Sequence, residues 1–193
     1  NGQKTLQNFA GQKILVAGDL MQDRFVYGEV NRISPESPVP VLCITHEDVM
    51  LGGAGNVISS LHALGCVPVP FAVVGDDEAG KKLCAMLSSH KLDIAGVMVD
   101  NSRPTIIITR YVAQRQQLLR GDFEKTHALS AALQKEALVK VAQIMPAMRA
   151  VVLSDYGKGF LTKDLIEGII ALAHKHYIPV LVDPKGDDYS RYS

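Results

Sequence analysis

The hydrophobic pattern alternates between two periods along most of the chain. Short apolar runs that end in glycine or aspartate predict buried strands, and apolar residues spaced three or four apart predict helices. In chain order these are strand 13–17, helix 53–64, strand 67–74, helix 79–87, helix 130–145, strand 150–153, helix 162–175 and strand 178–182. Alternation of this kind is typical of βαβ units around a parallel sheet.

Two stretches depart from that alternation. Residues 24–50 and 105–123 alternate apolar with polar side chains, as in Phe25, Tyr27 and Val30, and contain no helical stripe. This pattern is typical of half-exposed antiparallel strands. We therefore expect a small accessory sheet, contributed by two insertions into the parallel one.

Composition narrows the class of protein. The chain has 193 residues, of which 47% are hydrophobic and 21% charged, enough for one substantial folded domain. Its 20 basic and 20 acidic residues cancel, so the broad positive footprint of a nucleic-acid binder is missing. No apolar run reaches the roughly 18 residues of a membrane span, and residues 1–4 lack the apolar core of a signal peptide. We expect a cytoplasmic protein with neither nucleic acid nor membrane as partner.

Acidic residues follow four of the predicted strands. Ligands of an open parallel sheet bind beyond the carboxyl ends of its strands. Those ends carry Asp19, Asp76, Asp155 with Lys158, and Asp183 with Lys185. Carboxylates suit sugar hydroxyls or a metal, and ammonium groups suit phosphates, so the set indicates phosphoryl transfer to a polyol. The alternative for each single aspartate is a helix cap, which we expect for Asp76 above all.

A glycine-rich segment enters the first crossover helix. Gly52, Gly53 and Gly55 let a ligand approach the backbone, and the free N–H groups of a helix start favour hydroxyl or anionic oxygens. The spacing is neither that of a dinucleotide fingerprint nor that of a Walker A loop. The alternative is a tight turn packed against a strand.

Gly52 to Asn56, with Gly65 and Gly75 downstream, resembles the amino-terminal signature of the ribokinase-like carbohydrate kinases. That fold is α/β, a doubly wound and mostly parallel sheet with a small antiparallel β lid. The chain is most similar to the branch that phosphorylates D-glycero-β-D-manno-heptose 7-phosphate for the lipopolysaccharide core, including the kinase half of bifunctional kinase–adenylyltransferases. The matching segments are 18–24, 32–41, 153–159 and 182–186. One departure is Ile58, where the family usually has a small residue.

The resemblance implies a reaction and roles for individual residues. The family transfers the γ-phosphoryl group of ATP, with Mg²⁺, to a sugar hydroxyl, here the anomeric O1 of the heptose, giving the 1,7-bisphosphate for ADP-heptose synthesis. The implied sugar ligands are Asp19 and Asn56, with Asp23 assisting, the Gly52–Gly53 backbone against the ring, and Asp155 facing sugar or metal. The implied ligands of the sugar phosphate are Arg32, Arg110 and Arg120. The implied ATP site contains Lys158, Asp183 and Lys185.

The family's general base, in a Gly-Ala-Gly-Asp motif, and its Asn-x-x-Glu metal motif do not occur in this chain. We therefore expect residues 1–193 to be an incomplete kinase domain that is inactive alone. The alternatives are a non-catalytic module that binds a sugar phosphate or dimerises, and a kinase for another sugar phosphate. Apolar residues of the accessory sheet, such as Val39 and Tyr111, need cover, so we expect a homodimer through the lid.

Overall fold

The computed structural model describes residues 8–192, so the expectations for residues 1–4 and for Ser193 lie outside the described residues. The strands are β1 Lys13–Gly18, β2 Leu20–Ile33, β3 Pro40–Gly53, β4 Val67–Val74, β5 Val97–Val99, β6 Ile106–Ala113, β7 Gln116–Phe123, β8 Ala150–Ser154 and β9 Val180–Asp183. The helices are α1 Ala54–Ala63, α2 Glu78–Ser89, α3 Ala131–Ile144 and α4 Lys163–Lys175, with 3₁₀ turns at Met145–Ala147 and Ser190–Tyr192.

A five-stranded parallel sheet forms the centre of the molecule, in the order β5-β4-β1-β8-β9. The middle strand is β1, and its residues Leu15, Val16 and Ala17 are fully buried. Helices α3 and α4 pack on one face through residues such as Leu165 and Ile169. Helices α1 and α2 cover the other face. The expected doubly wound α/β architecture is confirmed.

The helices begin where short polar side chains can cap them. Ser130 accepts a hydrogen bond from the N–H of Leu133, and Thr162 accepts one from Leu165. Helix α2 is capped by Asp77, whose Oδ1 lies 2.8 Å from the nitrogen of Gly80. The cap is therefore one residue later than the Asp76 expected from sequence. No helix among residues 8–192 combines the length and apolar character that a membrane crossing requires.

The accessory sheet, called the lid below, has the strand order β3-β2-β6-β7. The two outer pairs are antiparallel, as expected, but the central pair of β2 with β6 is parallel. Both strands leave the carboxyl edge of the parallel sheet, β2 after β1 and β6 after β5, so they run outward in the same direction. The expectation of a wholly antiparallel lid is corrected in this one pairing.

One strand boundary and one additional strand also differ from the sequence pattern. Strand β9 begins at Val180, two residues later than expected, because the N–H of Ile178 still donates to the carbonyl of Ala173 and completes the end of α4. Strand β5 was not expected. It has only three residues, which is too short to produce a recognisable period.

Candidate active site

The candidate site lies at the carboxyl edge of the parallel sheet, where the ends of β1, β8 and β9 are hydrogen-bonded to one another. The N–H of Asp19 donates to the carbonyl of Ser154 at 3.2 Å, and the N–H of Asp155 donates to the carbonyl of Asp183 at 2.9 Å. The carbonyl of Asp19 in turn accepts the N–H of Ala54, the first residue of α1. The lid strands leave from this edge, so the two sheets meet here.

Gly52 and Gly53 close the junction between β3 and α1. A Cβ at Gly52 would lie 2.7 Å from Oδ2 of Asp23, and Gly53 has a φ of 57°, in the region that favours glycine. Both glycines are buried. They are therefore needed to seat β2 against β3, which supports the tight-turn interpretation and also leaves the backbone beside Asp23 without side chains.

Asp19 holds the segment that follows β8, residues 155–160, called the glycine loop below. Its Oδ2 accepts N–H groups from Tyr156 at 2.9 Å and Lys158 at 3.1 Å, and its Oδ1 accepts one from Phe160 at 3.3 Å. The residue is 2% exposed. Burial raises the pKa of Asp19, although the three N–H donors oppose that shift and the charge of Asp155 adds to it. The carboxylate oxygens of Asp19, which we expected to bind sugar hydroxyls, therefore bind N–H groups of the glycine loop instead.

Asp155 is also engaged within the protein. Its Oδ1 accepts the N–H of Gly157 at 2.8 Å, and its Oδ2 accepts the hydroxyl of Tyr192 at 2.8 Å. The guanidinium of Arg191 lies 3.3 Å from the same Oδ2. This carboxylate, expected to face sugar or metal, instead fastens the last described residues to the glycine loop.

Asp183 and Lys185 are exposed at the end of β9. Lys185 lies beside the glycine loop, because a Cβ at Gly157 would be 3.4 Å from its Cγ. Both are therefore open to solvent at the sheet edge, and their assignment to an ATP site stays a prediction.

Four charged residues share one face of the lid, which we call the site face. Asp23 pairs with Arg110 at 3.1 Å, and Arg120 forms two hydrogen bonds of 2.7 Å with Asp122. Arg110 and Arg120 stand directly opposite each other on β6 and β7. Like charges at such positions repel unless anions compensate them. The hydrogen bonds from Arg120 hold the pKa of Asp122 below its usual range, so Asp122 is the anion that compensates the charge of Arg120.

The glycine loop faces the same space as the site face. The ammonium of Lys158 is paired with Glu124, just past β7, at 2.6 Å, and its charge also acts on Asp122. Burial raises the pKa of Tyr156, and the negative charges of Asp183 and Asp23 add to the shift. Residues from β2, β7, the glycine loop and the end of β9 thus surround one region.

The remaining expected residues divide between this region and the far end of the lid. Asn56 is exposed in the first turn of α1, directly after the glycine junction. Arg32 lies opposite Val41, nine residues along β2 from Asp23. At about 3.3 Å per residue, that is roughly 30 Å of strand. The structure therefore brings Arg110 and Arg120 to the site and leaves Arg32 away from it.

Sequence reasoning missed several residues of the site. Glu124 and Asp122 continue the alternation of Arg120 along one face, a period-two pattern of charges that could have revealed them. Arg103 is buried and bonded to three segments of the chain. Its aspartate partner, Asp100, is local, but the two carbonyl groups that distinguish it lie in separate loops and leave no mark in the sequence.

A preformed metal cluster is absent among residues 8–192: no three His, Cys, Asp or Glu side chains are placed to share an ion. Asp19 and Asp155 are occupied by the hydrogen bonds given above, whereas the carboxylate of Asp183 is exposed. Mg²⁺ commonly binds through one or two carboxylates and the phosphates of its substrate. The residues present therefore fit an ion that is held mainly by a nucleotide.

Known proteins resemble the chain over nearly all of its length. Residues 12–193 match the profile of the pfkB family carbohydrate kinases. The bifunctional protein HldE of Paramagnetospirillum magneticum is 43% identical over 188 residues, which are 97% of this chain and 38% of that protein. HldE of Helicobacter acinonychis is 45% identical over 182 residues, 94% of this chain and 39% of that protein. The chain thus spans about two fifths of these curated relatives.

The fold also matches solved structures. Arabidopsis thaliana ribokinase complexed with ribose and ATP superimposes with a TM-score of 0.62 at 15% identity, covering 92% of this chain and 55% of that one. A likeness at this identity concerns the fold alone. Together with the family match, it confirms the resemblance and the fold class expected from sequence.

Proposed function

This chain belongs to the pfkB family of carbohydrate kinases, and on that premise we propose that it is the sugar-binding and lid portion of an ATP-dependent heptose 7-phosphate kinase. The reaction moves the γ-phosphoryl group of ATP to the anomeric O1 of D-glycero-D-manno-heptose 7-phosphate and yields the 1,7-bisphosphate, a precursor of ADP-heptose. The substrate rests on the resemblance of the four segments given above. A kinase for another sugar phosphate is the alternative.

The observation that carries the proposal is the pair of arginines on the site face. Arg110 and Arg120 stand side by side across two strands, within reach of Asp23 and Asp122. Guanidinium groups bind phosphate through paired hydrogen bonds, and two of them on one face suit a phosphate dianion. A phosphate arriving there takes the place of the aspartates as their counter-charge.

The sugar ring is assigned to the junction next to this pair. Asp23 lies beside the bare backbone of Gly52, and Asn56 follows in the first turn of α1. Carboxylate and amide groups bind sugar hydroxyls, and the absence of side chains at the glycines lets the ring approach the backbone. Asp19 is not assigned to the sugar, because its oxygens accept N–H groups of the glycine loop.

We assign the ATP phosphates to Lys158 and Lys185, with Asp183 as the carboxylate open to a nucleotide-bound Mg²⁺. The ion supplies charge neutralisation on the phosphates when bound. The lysines place positive charge where negative charge spreads in the transition state, and the lid excludes water. The family's general base is absent from the 193 residues, so we propose that the chain alone does not complete phosphoryl transfer.

We also propose a cytoplasmic homodimer formed through the lid. Leu119 and Phe123 are each 62% exposed on β7, and they alternate with Arg120 and Asp122. They therefore lie on the face opposite the charged one, where a second lid would cover them.

The test is calorimetric titration of the full-length protein with D-glycero-D-manno-heptose 7-phosphate and with the unphosphorylated heptose. We expect Arg120→Gln to weaken binding of the phosphorylated sugar by about 10- to 100-fold, the effect of a lost charge-assisted hydrogen bond. Binding of the unphosphorylated sugar should change less than about twofold by the same reasoning. The matched control is Arg24→Gln, an arginine on the opposite face of the lid that pairs with Glu47.

Equal affinity of the wild-type protein for both sugars would contradict the phosphate assignment. Selective binding without formation of ADP in the presence of ATP and Mg²⁺ would favour the non-catalytic module instead.

A further inference from the structure

The backbone of Lys158 is held at both its donor and its acceptor. Its N–H donates to Oδ2 of Asp19 at 3.1 Å, and its carbonyl accepts from Nη1 of Arg103 at 3.4 Å. The second bond is long, but it does not act alone. Nη2 of Arg103 donates at 2.8 Å to the carbonyl of His127, which lies against Gly159 with no room for a Cβ. The glycine loop is therefore held by Asp19 on one side and by Arg103 on the other.

Arg103 is itself held in place by a buried ion pair with Asp100. Its Nε donates to Oδ2 of Asp100 at 2.7 Å, and the two side chains are only 3% and 7% exposed. Oδ1 of Asp100 accepts both the N–H and the hydroxyl of Ser102. One guanidinium thus joins the connection after β5, the connection after β7 and the glycine loop.

A loop that only reverses the chain direction does not need a buried ion pair. Removing a carboxylate and a guanidinium from water costs several kcal/mol of desolvation free energy each, which their hydrogen bonds must offset, and apolar packing would fix a turn without that loss. Gly157 and Gly159, with φ values of 68° and 94°, give the loop no rigidity of its own. The glycine loop contains two charged side chains, Asp155, which is engaged within the protein, and Lys158.

We propose that Asp19 and Arg103 are positioning residues that act through Lys158, by fixing the backbone from which its ammonium reaches the transferred phosphoryl group. The inference rests on the proposed function, in which Lys158 contacts the ATP phosphates. Without the hydrogen bonds to Asp19 and from Arg103, the flexible glycines would let the ammonium of Lys158 move from its position. A displacement of about 1 Å is enough to lower turnover strongly. Sugar binding, which uses other residues, is unaffected.

The test is a double-mutant cycle on turnover of the full-length protein with ATP, Mg²⁺ and the heptose phosphate. Arg103→Lys keeps the charge but loses the three-way geometry, and we expect kcat to fall about tenfold with the KM for the sugar within about twofold. In a Lys158→Met background, itself slower by about 10²- to 10³-fold, the same change should cost less than about twofold, because the residue acted upon is gone.

Two further variants make the cycle decisive. Asp19→Asn weakens the hydrogen bonds on the other side of the glycine loop and should show the same coupling to Lys158→Met. The test therefore remains valid if Arg103→Lys does not fold. Arg149→Lys is the matched control, because Arg149 is exposed and lies just before β8, at the opposite end of that strand from the glycine loop. It should leave kcat and the coupling unchanged.

Equal losses of kcat in the wild-type and Lys158→Met backgrounds, for the variants that fold, would overturn the inference and leave Asp19 and Arg103 as structural residues. If instead Lys158→Met has full turnover, the role of Lys158 in the proposed function fails. The two failures are thus distinguishable.

Discussion

The parallel sheet and the lid place their charges in opposite ways. In the parallel sheet, β1 is buried from Ile14 to Gly18, and acidic side chains occur only at the last residue of a strand, as at Asp183, or beyond the strand ends. In the lid, all eight residues of β7 are exposed, and among the described residues the lid's own buried apolar cluster is small, with Met21, Ile106 and Ile108. Folding is therefore driven mainly by one sheet, while the other is kept in place largely by backbone pairing and leaves most of its side chains exposed.

The difference teaches where this chain can vary without loss of the fold. Burial of apolar area contributes most of the stability of a domain, so substitutions in the parallel sheet and its helices are costly. Exposed strand positions contribute little to stability by themselves. The lid can therefore be adapted to a ligand at small cost to the fold.

The sharpest test of this comparison uses the same substitution in both regions. Leu165 of α4 is fully buried, and we expect Leu165→Ala to lower the free energy of unfolding by about 3 kcal/mol. Leu119 on the lid is exposed, and Leu119→Ala should change it by less than about 0.5 kcal/mol in dilute protein. Chemical denaturation measures both. A comparable loss at Leu119 that grows with protein concentration would mean that another chain covers the lid.

Acid should loosen the junction between the two regions. Burial alone would raise the pKa values of Asp77 and Asp100, but hydrogen bonds from Thr105 and Gly80, and from Ser102 and Arg103, outweigh it and lower them. A lowered pKa in the folded state contributes stability above the unfolded value, near 4, that is lost as the pH falls through the folded value.

We therefore expect the free energy of unfolding to decrease between pH 5 and pH 3, with a shallower slope in Asp100→Asn. The exposed Asp48→Asn on the lid is the control and should retain the wild-type slope. An Asp100→Asn slope equal to that of the wild type would show that this carboxylate does not hold the junction. Denaturation curves at each pH provide the measurement.

The smallest effect is expected at the ion pair on the opposite face of the lid. Arg24 and Glu47 lie 2.7 Å apart, but their side chains are 42% and 36% exposed, so solvent screens the attraction. In dilute protein, where no second lid covers this face, Arg24→Ala should lower the free energy of unfolding by about 0.5 kcal/mol or less. The matched variant Glu47→Ala should behave alike, and a loss above about 1 kcal/mol in dilute protein would contradict the view that this pair is a solvent-screened surface contact.

Sequence periodicity predicted the parallel sheet well because its physical cause is local. The spacing of Val57, Ile58 and Leu61 and the glycine at 65 are enough to define α1, since an apolar stripe and a cap act within one helix. The parallel pairing of β2 with β6 could not be predicted in that way. It depends on the direction in which two distant segments leave the other sheet.

The candidate site was predicted in part for the same reason. The acids at strand ends could be found, because a parallel sheet brings such ends together. Their partners could not: Asp19 binds N–H groups about 140 residues further along the chain, and Arg103 binds carbonyls in two other loops. Whether a carboxylate faces a ligand or a loop is decided by these long-range contacts.

The parallel pairing of β2 with β6 also has a consequence for synthesis on the ribosome. The hairpin of β2 and β3 is complete once Gly53 has emerged, yet the edge of β2 stays open until Ala113 has emerged about 60 residues later. At about 5–20 residues per second, the open edge lasts roughly 3 to 12 seconds. During that time a nascent hairpin can pair with a neighbouring nascent chain, so we expect translation speed between these residues to influence how much of the protein aggregates.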